Sequence, residues 1–202
     1  MTITHDQLCQ KAVRWLQSPL SKAGPGCHTA LTEAKTGFNG EICDAIGFRA
    51  CGTPYAGSVV IEVKMSRTDF LADRHKPHRQ SGGVGNWRYY LCPEGIINPE
   101  DLPEKWGLLW LSDRGKIIPV SGAVTTTHIT YHRELLDTMR FDTDYVKEHY
   151  ILTRALSRVS NPDTLNRLLR AERNKNTILA RDNNRLREQI RNREINDGAE
   201  WN

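Results

Sequence analysis

Residues 40–65, GEICDAIGFRACGTPYAGSVVIEVKM, decide the predicted fold. Segments 40–50 and 58–65 are rich in apolar and β-branched residues, and the Gly- and Pro-containing segment CGTPYAG (51–57) separates them. This pattern predicts two strands joined by a turn, which pair antiparallel as a hairpin. The second strand is almost continuously apolar, as is typical of a strand that is covered on both faces.

Helical and strand patterns flank this hairpin on both sides. Residues 5–17 place Leu8, Ala12, Trp15 and Leu16 on one face at helical spacing, which predicts an amphipathic helix. Further helices are predicted at 29–35 (TALTEAK), at about 67–76 and at 133–157, and further strands at 87–92, 106–111 and 116–120. This order indicates an α/β (α+β) fold in which a mixed central β-sheet is flanked by helices.

The composition changes beyond Ser160. Asn161-Pro162 is a good helix start, and no Gly or Pro follows before Ile195. We therefore predict a domain at 1–158 and a helical tail at 159–202. Asn at heptad position a favours a paired coiled coil, so a homodimer through 160–195 and a solvated single helix are both open. The heptad assignment places Leu169, Asn176, Asn183 and Ile190 at a, and Leu165, Glu172, Leu179 and Leu186 at d.

Composition excludes several classes of protein. The chain has 202 residues, a net charge of +4 and ordinary numbers of Gly and Pro, so fibrous and wholly disordered classes are excluded. No apolar run approaches the roughly 18 residues of a membrane span. The N-terminal sequence MTITHDQLCQKAVRW lacks the layout of a secretory signal, so we expect a cytoplasmic protein.

The cysteines do not form a recognisable pattern. There are five, scattered and without a C-x-x-C pair, which argues against a disulfide scaffold. A zinc site from Cys27, His28, Cys43 and Cys51 is not favoured, because the paired short spacings of zinc ligands are missing. We expect reduced and mostly buried thiols.

Two charged residues interrupt the apolar strand VVIEVKM. Glu62 and Lys64 are two residues apart, so in a strand their side chains point to the same face. Burying two charges costs several kcal/mol each unless they are paired or bound. The pattern fits either a structural ion pair or a site where the carboxylate holds a cation and the ammonium faces an anionic substrate.

A third charged residue lies on the preceding strand. Asp44 stands within the apolar stretch EICDAIGF, and antiparallel pairing around the turn would bring it towards Glu62. Two carboxylates brought together repel unless a divalent cation binds between them. Oxygen ligands of this kind suit Mg²⁺ or Mn²⁺, which also bind substrate phosphate.

These residues resemble a known nuclease motif. Asp44, then Glu62-Val63-Lys64, preceded by Glu33 on a predicted helix, resembles the PD-(D/E)XK nuclease superfamily with its restriction-endonuclease-like fold. Cys43 stands where the name of the superfamily has Pro. The strings IEVKMSRTDFLADRHKPHR, WRYYLCPEGII and LPEKWGLLWL are similar, more narrowly, to the MmcB-like group of DNA-repair nucleases. The resemblance covers about residues 25–120.

The resemblance implies a role for each motif residue in Mg²⁺-dependent hydrolysis of DNA. Asp44 and Glu62 would be metal ligands, with the Val63 carbonyl as a third. Lys64 would orient or activate the attacking water or stabilise the charge that develops at phosphorus. Glu33 would be an accessory or orienting acid, a role for which Glu41 stays open as the alternative.

Basic residues cluster after this motif. The segment 64–88 is predicted to form a groove for a phosphate backbone, with an ordinary solvated face as the alternative reading. The expected partner is double- or single-stranded DNA, in repair, recombination or defence. A nuclease acting on RNA and a non-catalytic nucleic-acid-binding adaptor are the alternatives. The basic residues assigned to nucleic-acid binding are Arg67, Arg74, Lys76, Arg79 and Arg88.

Overall fold

The computed structural model describes residues 3–37, 40, 42–52, 54–73, 83–125, 129–158 and 161–199. Two compact units make up the chain, Met1–Leu152 and Thr153–Asn202. The predicted boundary at 158/159 stays a prediction. Among the described residues, no helix is long and apolar enough to cross a membrane. The helices are α1 (His5–Leu16), α2 (Arg67–Asp73), α3 (Ile129–Thr138), α4 (Tyr145–Ser157) and α5 (Pro162–Ala199). The strands are β1 (Thr29–Lys35), β2 (Ile42–Arg49), β3 (Gly57–Val63), β4 (Trp87–Pro93), β5 (Trp106–Leu111) and β6 (Ile117–Ser121).

The strands described form one mixed sheet, in the order β1 to β6 along the chain. The first three strands pair antiparallel, β3, β4 and β5 pair parallel, and β6 returns antiparallel to β5. Because parallel neighbours need a crossover, α2 lies in the connection between β3 and β4. The predicted mixed sheet flanked by helices is confirmed, as is the hairpin of residues 40–65, in which Ala45 is opposite Ile61.

Segment 29–35 is a strand, so the helix predicted there was wrong. TALTEAK forms β1 and pairs with β2 from Thr29 to Lys35. Its Ala, Glu and Lys residues are good helix formers, but intrinsic preference is small in energy, and pairing against an adjacent strand outweighs it. Glu33 interrupts the ladder with a left-handed backbone (φ 49°) between the pairs Thr32–Ala45 and Ala34–Cys43.

The predicted helix over 133–157 is two helices, α3 and α4. Asp144 lies between them and accepts hydrogen bonds from the backbone N–H groups of Val146 and Lys147. These bonds, above all that from Lys147, lower the pKa of the Asp144 carboxyl. An aspartate at this position starts a new helix by satisfying its free N–H groups, which explains why one periodic segment divides.

Apolar side chains cover both faces of the sheet. On one face Leu8, Ala12, Trp15 and Leu16 of α1 join Ile61 and its neighbours in β3, as the helical spacing predicted. On the opposite face Phe70 of α2 packs edge-on against Tyr90, whose ring stacks on Trp106. Glu62 of β3 and Lys64, which follows the strand, therefore lie where the sheet is covered from both sides.

His132 of α3 gives the fold an expected dependence on pH. The ring is buried, and burial lowers its pKa below the usual 6.5 although Nδ1 contacts the Ala123 carbonyl at 2.7 Å. Below pH 6.5 the His132 ring is protonated in the unfolded chain more readily than in the folded chain. We expect the free energy of unfolding to fall by up to about 1.4 kcal/mol per pH unit in this range.

Urea unfolding of the protein at pH 7.0, 6.0 and 5.0 measures this slope. The variant His132→Asn should flatten it, whereas His149→Ala, which removes an exposed histidine, should leave it unchanged. Equal slopes for wild type and His132→Asn would contradict the assignment.

Candidate active site

Asp44 contacts the Glu62-Val63-Lys64 segment directly. Its carboxylate atom Oδ2 accepts a hydrogen bond of 2.7 Å from the backbone N–H of Val63, the residue between Glu62 and Lys64. The ladder between β2 and β3 ends with the pair Ala45–Ile61, so Asp44 lies one residue beyond the last pair and can reach into β3. The hairpin thus brings together residues that are 19 positions apart in the sequence.

Glu62 and Lys64 are both buried, with 3% and 6% of their surface exposed. Their neighbour Ile61 packs against α1, so alternation along β3 directs Glu62 and Lys64 to the opposite face. The Lys64 backbone N–H continues the ladder by donating to the Leu91 carbonyl at 2.9 Å. The assignment of Asp44, Glu62 and the Val63 carbonyl as a set of metal ligands stays a prediction.

The Lys64 ammonium contacts two acids of α2. Nζ lies 3.6 Å from Asp73 Oδ1 and 3.7 Å from Asp69 Oδ1. Asp73 is 2% exposed, whereas the Asp69 side chain is 52% exposed. Sequence reasoning allowed Asp73 to be a solvated acid or a partner of Arg67 or Lys76, and did not identify it as a partner of Lys64, although the spacing of four places Asp69 and Asp73 on one face of a helix that begins just after Lys64.

A second group of side chains meets Asp44 from α1. His5 Nε2 lies 3.6 Å from Asp44 Oδ1, and Cys9 Sγ lies 3.6 Å and 4.0 Å from His5 Nδ1 and Nε2. A capping box at Thr4 holds this first turn: its hydroxyl accepts from the Gln7 N–H, and the Gln7 side chain accepts from the Thr4 N–H. Sequence analysis missed His5 and Cys9, and their i, i+4 spacing on a helix was the available signal.

The predicted acids act together on Cys9. Burial, followed by the negative charges of Asp44, Asp6, Glu33 and Glu62, raises the pKa of the Cys9 thiol to about 12. Three of these four acids are the ones that sequence analysis assigned to the site. The fold therefore collects negative charge around one buried sulfur atom at the edge of α1, β2 and β3.

Glu33 reaches this region from a strand and not from a helix. It lies in β1, between the residues that pair with Ala45 and Cys43, and so across from Asp44. The expected helix acid is thus corrected to a strand acid, because β1 adds to the edge of the hairpin. Glu41, the alternative, lies outside the described residues.

The structure describes two of the five basic residues assigned to the predicted groove, Arg67 and Arg88. Arg67 forms two hydrogen bonds of 2.7 Å with the Asp101 carboxylate, and these raise its pKa. Arg88 is a correction: it is 2% exposed, its Nε donates to the Gly85 carbonyl, and its guanidinium lies 4.2 Å from the centre of the Phe141 ring. A phosphate backbone cannot reach a side chain in that position. Arg74, Lys76 and Arg79 lie outside the described residues.

A different groove adjoins the candidate site. A cavity of about 1200 Å³ runs between α1 and the turn from β5 to β6, and Asp6 and Met65, the neighbours of His5 and Lys64, line it. Its walls carry the basic side chains of Lys11, Arg14 and Arg114. Sequence reasoning could not collect these three residues, because one helix and one distant turn supply them.

The five cysteine side chains differ in their exposure to solvent, which can be tested by their reactivity. Cys51 is exposed, and Cys9, Cys27, Cys43 and Cys92 are buried, which confirms the prediction of mostly buried cysteines. Burial raises the pKa of Cys27 to about 12 and that of Cys92 to about 11.

We expect an aromatic disulfide reagent at pH 8 to modify one thiol quickly in the native protein and all five in denaturant, because the thiolate is the reactive form. The variant Cys51→Ser should lose the fast phase. Fast modification of two or more thiols in the native chain would contradict the burial of the other four.

Comparison with known proteins does not assign this chain to a family. The sequence matches no family model, and no curated protein matches it. One solved structure is similar in part: the SPO1766 protein of unknown function from Silicibacter pomeroyi, at 18% sequence identity and a TM-score of 0.44. The similarity covers 81% of this chain and 96% of that chain.

Proposed function

We propose that this protein is a metal-dependent nuclease that hydrolyses DNA phosphodiester bonds. The observation that carries the proposal is the 2.7 Å contact between the Asp44 carboxylate and the backbone of Val63, between Glu62 and Lys64. It supports the motif resemblance because it joins, in three dimensions, the acid of one strand to the Glu-x-Lys of the next. The negative potential around Cys9 adds to this support, since a cation would be drawn to it.

The donor atoms fit a hard divalent cation. Asp44 and Glu62 would supply carboxylate oxygens, and the Val63 carbonyl would complete the set for Mg²⁺ or Mn²⁺. When bound, such an ion would supply Lewis-acid activation of water and neutralise charge on the phosphate. Asp69 and Asp73 hold the Lys64 ammonium just beyond the end of β3, where it would stabilise negative charge at phosphorus. Glu33 would orient the attacking water.

The groove beside the site suits a nucleic-acid strand. Lys11, Arg14 and Arg114 line it, and basic side chains of this kind can contact a phosphate backbone. Asp6 and Asp113, which also line the groove, moderate its positive charge. We place the activity in the cytoplasm, where free thiols persist, and in repair, recombination or defence.

Cleavage assays test the proposal. The purified protein is incubated with plasmid, single-stranded DNA and RNA, each with Mg²⁺, with Mn²⁺ and with EDTA. We expect DNA to be cut in the presence of either ion and to remain intact in EDTA. RNA cleavage without DNA cleavage would move the substrate from DNA to RNA.

A non-catalytic adaptor is the second candidate, and one observation favours it. The Lys64 ammonium already has two acidic neighbours, so its burial has a structural explanation. Salt-sensitive DNA binding without cleavage of any substrate would support the adaptor and reject the nuclease. Charge-reversal of Lys11 and Arg14 should then weaken binding.

We further propose that α5 pairs with a second copy of the chain. It is a helix of 38 residues, and Leu165, Leu179, Leu186 and Ile190 are exposed along it. The apolar seam is sparse, and asparagine at two a positions favours an in-register pair. Light scattering of the full chain and of a chain that ends at residue 159 tests this pairing. We expect the full chain to be a dimer and the shortened chain a monomer. The same number of chains per particle in both proteins would reject the pairing.

A further inference from the structure

The side chains of His5, Cys9 and Asp44 converge at one point in the fold. Among the described residues, these three form the group of three or more His, Cys, Asp or Glu side chains in which one ligand atom from each lies within 4.8 Å of the others. We propose that they form a transition-metal site that binds Zn²⁺ through one nitrogen, one sulfur and one oxygen. This inference goes beyond the proposed nuclease activity, which uses neither His5 nor Cys9 and shares only Asp44 with the site.

The distances fit a tetrahedral ligand shell. Zinc bonds of about 2.0–2.3 Å place neighbouring tetrahedral ligands roughly 3.3–3.8 Å apart. His5 Nε2 lies 3.6 Å from Asp44 Oδ1 and 4.0 Å from Cys9 Sγ, so small side-chain adjustments bring all three atoms to bonding distance. Nε2 is the ring nitrogen near Asp44, whereas Cys9 Sγ lies closer to Nδ1, at 3.6 Å, so a metal bound to Nε2 requires a rotation of the His5 ring or the Cys9 side chain.

The surroundings hold each ligand in place. The i, i+4 spacing of His5 and Cys9 directs both side chains to one face of α1. The second oxygen of Asp44 is fixed by the Val63 N–H. A metal on Nε2 would leave Nδ1 of His5 free to donate, and the exposed Asp6 carboxylate, with Oδ1 at 3.8 Å, could move into hydrogen-bond distance as one of the usual partners of a zinc-bound histidine.

The ligand types select the metal. A thiolate and an imidazole favour zinc and other borderline ions over Mg²⁺, which prefers oxygen. The His5 side chain is 42% exposed, so the shell opens to solvent on one side and a fourth position is left for water or a substrate atom. Cys9 is buried beneath it, which places the sulfur on the protein side of the ion.

Cobalt substitution tests the site independently of any enzymatic activity. The full chain is freed of metal with a chelator, titrated with Co²⁺ and then with Zn²⁺, and read by absorption spectroscopy and by metal analysis after gel filtration. We expect one equivalent of Co²⁺, a near-ultraviolet thiolate-to-cobalt band, and loss of that band on addition of Zn²⁺. His5→Ala should weaken Zn²⁺ binding by more than the roughly 10- to 100-fold that loss of an outer partner costs.

Matched variants identify the ligands. Cys9→Ser should abolish the thiolate band and Cys51→Ser should retain it; likewise His5→Ala should weaken binding and His149→Ala should not. Because Cys9 is buried and its replacement can disturb folding, the exposed His5 provides the deciding variant. The proposal is overturned if the wild type shows no thiolate band, or if His5→Ala binds Zn²⁺ as tightly as the wild type.

The outcomes separate this site from the nuclease. Zn²⁺ binding that depends on His5, with no cleavage of DNA, would uphold the zinc site and reject the nuclease. Mg²⁺-dependent cleavage in a chain that fails to bind Zn²⁺ would do the reverse.

Discussion

The substitution Glu62→Gln is expected to reduce Mg²⁺-dependent DNA cleavage by roughly 10²- to 10⁴-fold, the range that loss of a group acting directly in the reaction produces. Glutamine keeps the size and hydrogen-bonding capacity of a side chain that is 3% exposed, so the packing around β3 should survive. What it loses is the negative charge that holds a divalent cation. Initial rates of plasmid nicking at saturating Mg²⁺ measure the effect.

Glu94→Gln is the matched control for this substitution. Glu94 is exposed and follows β4, so the same chemical change there should leave cleavage within about 2-fold of the wild type, as expected of a surface position. Circular dichroism and urea unfolding of both variants show whether the fold is intact. Cleavage by folded Glu62→Gln at the wild-type rate would remove Glu62 from the site and transfer any activity to other residues.

We expect Asp73→Ala to lower the free energy of unfolding by about 3–5 kcal/mol, the typical result of removing one partner of a buried ion pair. Asp73 is 2% exposed, and its carboxylate lies 3.6 Å from the Lys64 ammonium, itself 6% exposed. Among the described residues, the ion-pair partner that remains to the buried ammonium without Asp73 is Asp69, which lies near the surface. Urea denaturation followed by tryptophan fluorescence and circular dichroism measures the change.

The chain contains its own control, since Asp69 contacts the same ammonium at almost the same distance, 3.7 Å. Its side chain is 52% exposed, so Asp69→Ala should cost only about 0–1 kcal/mol. The double variant Lys64→Met, Asp73→Ala should be more stable than Asp73→Ala alone, because the buried ammonium is removed as well. Equal losses for Asp69→Ala and Asp73→Ala would show that burial does not govern this pair.

The stability of Asp73→Ala and its cleavage activity, measured on the same protein, would together define the role of Lys64. A large stability loss in Asp73→Ala with cleavage retained per folded molecule means that Asp73 supports the fold and that Lys64 reaches the phosphate without it. Loss of cleavage in a variant that is still folded means that Asp73 positions the Lys64 ammonium for the reaction.

Local patterns were enough to predict most elements of the sheet. The hairpin of residues 40–65, the strands beginning at Trp87 and Trp106, and the amphipathic α1 all follow from the spacing of apolar residues and the positions of Gly and Pro. Each of these signals lies within the segment whose structure it predicts. The same is true of α5, which starts at Asn161-Pro162 as predicted.

Pairing with distant segments decided what the local signals could not. TALTEAK has a helical composition, yet it is a strand because β2 offers an open edge for it. Arg88 looks like a surface cation in a basic segment, but the parallel pairing of β4 between β3 and β5 buries it against Phe141. In both positions the neighbour that determines the outcome is far away along the chain.

The sequence by itself determined most of the strands, the helices α1 and α5, and the presence of Asp44 and the Glu62-Val63-Lys64 segment on the two arms of a hairpin. Only the tertiary structure decided which side chains meet them: His5 and Cys9 at Asp44, and Asp73 at Lys64. The reason is physical. Periodicity follows from the geometry of one segment, whereas contacts between segments depend on strand register and on how each helix packs across the sheet, which is set by burial over the whole domain.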